Sequence, residues 1–151
     1  MLVIIPHPTE ELKLIKFCKE LISVFSKDDS FFYRTIPLWI KLDNPFFSVE
    51  NDLKTIADKI TSISLSKPDI KGNEVFCPVC VEYNNHQIIT NLSLLKFSQE
   101  IIDDKTKLNL LKKLAASEIF PMQLKIFRIG YSVEVSSNSQ AISSSVWKKI
   151  K

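Results

Sequence analysis

Glu74-Val-Phe-Cys-Pro-Val-Cys-Val-Glu-Tyr83, with Asn84-Asn85-His86 behind it, can be a metal site, a redox pair or a plain strand. The fold turns on which of these it is. A structural zinc centre needs four ligands, and beyond Cys77, Cys80 and His86 no fourth follows in a matching spacing. A thioredoxin-type pair sits at the start of a helix, which lowers the thiol pKa. Here Val75, Cys77, Val79, Val81 and Tyr83 alternate strictly, which is the period of a strand. Cysteines three apart on a strand point to opposite faces, so Cys77 and Cys80 share neither an ion nor a disulfide unless Pro78 bends the chain. The segment is therefore read as a strand, Asn84-Asn85-His86 as turn chemistry, and no metal is expected.

Working outward toward the N-terminus, Leu2-Val-Ile-Ile5 is a short apolar run stopped by Pro6 and Pro8, and reads as a buried strand. Thr9 is a suitable N-cap for a helix that carries Glu10 and Glu11 at its positive end. Its expected stripe is Leu12, Ile15, Cys18, Leu21, Ile22 and Phe25, with Cys18 as a small core residue. From Phe31 to Asp43 the period becomes two. Ile36, Leu38, Ile40 and Leu42 form one face, and Thr35, Pro37, Trp39, Lys41 and Asp43 the other, with Pro37 marking an edge or a bend. After Asn44-Pro45, Ser48 can cap a helix striped by Val49, Leu53, Ile56, Ala57, Ile60 and Ile63.

Toward the C-terminus, Leu92 to Ile102 and Thr106 to Phe120 are expected to be helical, with a break near Asp103-Asp104. Leu124 to Val135 alternates again. Phe127, Ile129, Tyr131, Val133 and Val135 make the apolar face, opposite Arg128, Gly130, Ser132 and Glu134. Gly130, inside a strand, marks a bulge or a close approach. Residues 136–151 form a Ser-rich, partly mobile tail closing in a last turn or edge strand, beyond a core of 1–135. The order of elements predicts one α+β domain over 1–151, with mixed or antiparallel sheets and helices on their outer faces.

At 151 residues the chain can bury a real core, and its net charge of +3 is too small and too dispersed to signal DNA binding. Two glycines exclude a P-loop or a dinucleotide fingerprint, both of which need several, and no cofactor is expected. The N-terminal apolar run is too short for a signal peptide or a membrane span. Three cysteines, an odd number, suit a reducing cytoplasm.

MLVIIPHPTEELKLIKF, IPLWIKLD and FRIGYSVEV, taken in order, resemble the 2H phosphoesterase superfamily of LigT-like proteins, 2′-5′ RNA ligases and cyclic phosphodiesterases. The resemblance rests on an opening strand, a proline turn, an acidic helix start and two aliphatic strands at the places of the His-x-Thr/Ser motifs. It implies a two-lobed arrangement around a central groove and a nucleotide, an RNA end or another phosphate compound as ligand. The first histidine's place falls on Trp39 and its hydroxyl's on Lys41. The second histidine's place falls on Gly130, while Ser132 keeps the hydroxyl. Both histidines are replaced, and none of the substitutes titrates near neutrality as general acid–base chemistry requires. A catalytically degenerate domain with no catalytic residues is the expectation.

The residues singled out for ligand contact are Trp39, Lys41, Arg128, Ser132 and Arg34. Trp39 can stack on a base, and the cations can meet phosphate. Arg34 and Arg128 are the only arginines, and Arg34 joins the group only if the chain bends at Pro37. Three alternatives stand beside this reading. The face can be an ordinary wet one, with Lys41 or Arg128 paired to Glu134 or Asp43. Phe31-Phe-Tyr33 and Phe46-Phe47 can supply a protein-interaction patch. An active hydrolase would have to use His7 or His86, which otherwise read as solvated turn residues.

Overall fold

The computed structural model describes residues 2–23, 32–35, 38–42, 52–97, 104–131 and 148–149. In chain order the elements are β1 (Leu2–Pro6), α1 (Pro8–Ile22), β2 (Phe32–Thr35), β3 (Ile40–Leu42), α2 (Leu53–Lys59), β4 (Ile60–Leu65) and β5 (Asp69–Lys71). Then come β6 (Glu74–Tyr83), β7 (His86–Phe97), α3 (Asp104–Ala116), β8 (Met122–Gln123), β9 (Ile126–Tyr131) and β10 (Lys148–Lys149). The strands form two antiparallel sheets, one of three strands in the order β3-β1-β9 and one of seven that runs β10-β2-β7-β6-β4-β8, with β5 also on β6. This is an α+β fold.

The Cys-x-x-Cys segment is indeed a strand. Val75, Cys77, Val79, Val81 and Tyr83 are buried on one face of β6, while Cys80 is half-buried on the other. A two-residue turn joins β6 to β7, with Asn84 and Asn85 both in the left-handed region at φ 47° and 64°. Such turns match the twist of paired strands, and asparagine tolerates the conformation better than most residues. Pairing then continues unbroken from Tyr83↔His86 to Phe76↔Ser93. Burial pushes the Cys18 thiol up to about 12, and pushes Cys77 higher still, helped by the neighbouring Cys18. Neither is a nucleophile at neutral pH. Among the described residues no group of His, Cys, Asp and Glu could hold a metal ion.

Several expectations are corrected. Leu92 to Phe97 is not helical but the second half of β7. Val75 pairs with Leu95 and Phe76 with Ser93, so Leu94 is an extra residue, a β-bulge, and Leu94 and Leu95 are both buried. Apolar residues at 92, 94, 95 and 97 then imitate a helical stripe. The strand expected over Phe31 to Asp43 is two strands in different sheets, β2 on β7 and β3 on β1. The helix from Ser48 is shorter: α2 is capped by Asp52, whose side chain accepts from Lys54 N at 3.0 Å, and Ile60 and Ile63 belong to β4. The helix expected to run to Phe120 ends at Ala116, where Lys67 Nζ donates to Ala115 O at 3.0 Å. The helix over Leu92–Ile102 and the strand over Leu124–Val135 extend past what is described at 98–102 and 132–135, and Asp43, Phe46, Phe47 and Ser48 lie outside the described residues as well.

In α1 the buried stripe is Leu14, Phe17, Cys18 and Leu21, whereas Leu12 is two-thirds exposed at 66% and Ile15 is exposed too. The burial follows positions i, i+3, i+4 and i+7 from Leu14. His7, not Thr9, is the N-cap, and its Nδ1 accepts from Thr9 N at 3.2 Å. One buried cluster joins Leu2, Ile4, Ile40 and Leu42 of the small sheet to the inward face of β6, the α1 stripe, and Leu110 and Leu114 of α3. Phe17 and Phe120 meet in it edge to face, ring centres 5.2 Å apart. The chain's last described residues form β10, an edge strand on β2. Among the described residues no helix is long and apolar enough to cross a membrane.

Candidate functional site

The three-stranded sheet has one face in the core and a second on which Lys41 and Arg128 are exposed, Ile5 and Gly130 half-buried and Val3 buried, and strand alternation sorts its residues between them. Leu2 and Ile4 of β1 and Ile40 and Leu42 of β3 point inward and are buried. The opposite parity carries Val3 and Ile5 on β1, Lys41 on β3, and Arg128 and Gly130 on β9. The register then fixes neighbours. Val3 lies between Lys41 and Gly130, and Ile5 pairs with Arg128. Continuing the β1–β3 register by one residue sets Trp39 beside Ile5 on its other flank. Trp39, Lys41 and Arg128 are all exposed, whereas Leu38 and Ile40 beside Trp39 are buried. Three of the five sequence-predicted residues therefore share a face.

The other two are placed differently. Arg34 belongs to β2, paired with Lys96 in the seven-stranded sheet, so the chain does not carry it into the small sheet. Ser132 lies outside the described residues, as do Glu134 and Asp43. Phe32 and Tyr33 pair within β2 by backbone, while Phe31 is outside the described residues. Lys41 and Arg128 have no carboxylate partner among the described residues.

Gly130 sits in regular pairing with Val3, so the expected bulge is not at the glycine. It is three residues earlier. Ile5 pairs with Arg128 and Pro6 with Ile126, which leaves Phe127 as the extra residue. A bulge breaks strict alternation, and it turns Phe127 out of the core face assigned to it from sequence. Phe127 is 45% exposed, and the Arg128 guanidinium lies over its ring at 5.3 Å from the centre. Gly130 is half-buried, yet a Cβ built there would meet nothing within 4 Å.

His7 is the residue that sequence reasoning set aside. It follows β1 with extended backbone, φ −61° and ψ 142°, and its N–H donates to Lys125 O at 2.9 Å, which prolongs the pairing with the β9 segment. Its parity is that of Val3 and Ile5, and its ring stands 6.0 Å from Phe127, centre to centre. Because Nδ1 accepts from Thr9 N, the neutral ring carries its proton on Nε2. Glu10 Oε2 lies 3.6 Å from the same Nδ1, buried and without a hydrogen-bond partner. The parity of His7 with Val3 and Ile5 was visible in the sequence. The bulge that brings Phe127 to meet it was not. His86, the other histidine, opens β7 in the larger sheet, so the two imidazoles stand on different sheets.

The face thus has a ring and a cation on each flank, Trp39 just before β3 with Lys41 on it, and Phe127 and Arg128 on β9, with Val3 and Ile5 as the apolar strand between. Two strand spacings separate the flanks, roughly 10 Å. Long cationic side chains, Lys41 across Val3 from Gly130 and Arg128 two residues before it on β9, can converge on one anion, and exposed rings can stack on planar groups.

A half-open pocket of about 410 Å³ lies elsewhere, between α1 and the end of α3, lined by Lys13, Lys16, Phe17, Glu20, Lys113 and Ile119 among others. Lys113 Nζ there donates to Glu20 O and to Ser23 Oγ, each at 3.4 Å, and so ties the last turn of α1. Lysines near helix C-termini satisfy the free carbonyls and the negative end of the dipole, which accounts for this cluster without a ligand.

No protein-family model matches the chain, and neither the curated proteins nor the solved structures contain a match.

Proposed function

We propose that this chain is a catalytically degenerate 2H phosphoesterase-like domain that binds a phosphate-bearing ligand, a nucleotide or an RNA end, on the second face of its small sheet. The support is a single observation: Trp39, Lys41 and Arg128, separated widely in sequence, fall on one face around Gly130. The cations neutralise the phosphate and Trp39 offers a stacking surface. Binding rather than turnover is the function proposed, because Trp39 and Gly130 stand where proton-transfer groups would be needed.

The test is calorimetric titration with a 2′,3′-cyclic nucleotide, a nucleoside monophosphate and inorganic phosphate, with product assayed in parallel. Binding is expected to weaken with salt and to be lost in Lys41→Ala and Arg128→Ala. Gly130→Val is expected to abolish binding while keeping the fold, since the added side chain enters open space. It should even stabilise the strand, by up to about 1 kcal/mol. Conversion of the cyclic nucleotide, lost with Lys41 or Arg128, would overturn the degenerate assignment. Absence of binding by all three probes would remove the site.

A further inference from the structure

This inference rests on the reading just given and extends it to the ligand's size. Among the Phe, Tyr and Trp side chains whose burial is described, Trp39, at 44%, and Phe127, at 45%, are the exposed ones. Both belong to the small sheet's second face, on opposite flanks of β1. Each has a cation near it in the chain: Lys41 on β3 follows Trp39 by two residues, and Arg128 lies over the Phe127 ring. A ring left half in water gains little from the fold. The β9 bulge is what puts Phe127 there, since unbroken alternation would have returned it to the core. His7, fixed as the cap of α1, stands beside it with the two rings tilted at 45°.

Two ring seats roughly 10 Å apart across Ile5, with Lys41, Val3 and Gly130 in the next row along the strands, exceed what a mononucleotide can fill. We infer that the face takes a dinucleotide step of single-stranded nucleic acid, one base on Trp39 and the other on Phe127, with the linking phosphate over Val3 and Gly130 between Lys41 and Arg128. Stacking on a protein ring tolerates any base, so the selectivity is for two joined rings rather than for a sequence.

The experiment compares adenosine monophosphate with the adenine dinucleotides, ribose and deoxyribose, by titration against the whole chain and its variants. The dinucleotide is expected to bind at least about tenfold more tightly, the effect of one added stacked base. Phe127→Ala should reduce dinucleotide affinity to that of the monophosphate, and Phe127→Tyr should restore it. Trp39→Ala should do likewise from the other flank. A preference for ribose names RNA as the source, and equal affinity names any single strand; either supports the inference. If monophosphate and dinucleotide bind alike, or if Phe127→Ala leaves the dinucleotide unaffected, the two-ring site is wrong while the phosphate-binding face stands. If neither probe binds, both fall together.

Discussion

The bulge at Leu94 and the bulge at Phe127 insert one extra residue into an antiparallel pair in the same way and send it to opposite places. In the large sheet the extra residue goes inward. Leu94 and its neighbour Leu95 are both fully buried, and the Leu94 carbonyl accepts from Cys18 Sγ at 3.8 Å on the facing helix. In the small sheet the extra residue goes outward, and an apolar ring stands half in water between an arginine and a histidine. The first placement is accounted for by packing. The second is not, and a local distortion that costs burial without returning any is where a binding surface is to be sought.

The largest effect expected from this contrast is on stability at the inward bulge. Leu94→Ala should destabilise the fold by about 2–5 kcal/mol, read from urea denaturation, through lost burial and the cavity left behind. A cost near zero would mean that the site is not a packed core. The next effect comes from the thiols beside it. Their pKa values are raised in the folded state above the ordinary 9.0, Cys18 to about 12, chiefly by burial. Below pH 9 both states hold the protons and these groups add no slope. As pH rises from 9 toward 12 the unfolded chain loses them first, so stability falls by up to about 1.4 kcal/mol per pH unit for each thiol. The Cys18→Ala/Cys77→Ala double variant should lack that share of the alkaline slope. If its slope equals that of the parent, the inward bulge is wetter than its burial implies. The smallest effect belongs to the outward bulge, where Phe127→Ala should change stability by less than about 0.5 kcal/mol. A cost matching that of Leu94→Ala would erase the distinction between the two bulges.

The same two bulges explain what could be read in the sequence and what could not. Strict alternation identified β6 and assigned its cysteines to opposite faces, and it set Trp39, Lys41 and Arg128 on one parity. Where an extra residue enters, the period fails. Leu92, Leu94, Leu95 and Phe97 read as a helix, and Phe127 read as core, because one-residue insertions are set by pairing with a distant strand and not by local pattern. The split between β2 and β3 was hidden likewise: Pro37 flagged a bend, but only tertiary pairing decides that the two halves enter different sheets. In α1 the apolar residues Leu12 and Ile15 competed with Leu14 and Phe17 for the buried stripe, and the sheets beneath decided the outcome. His7 was seen as a turn residue because its use depends on the ring that the bulge delivers.

The left-handed pair Asn84-Asn85 bears on the order in which these regions arise. It lets β6 and β7 pair between residues close in sequence, at small entropic cost for closing the loop. The small sheet has no such shortcut, since β1 and β9 flank the whole hairpin in the chain and meet only across a very long loop. Contacts of long sequence separation are slow to form, so the hairpin is the natural nucleus and the β1–β9 ladder the late step. The face bearing Trp39, Phe127 and Gly130 rests on that ladder, so it exists only where β1 has met β9, whereas the hairpin needs no such distant partner.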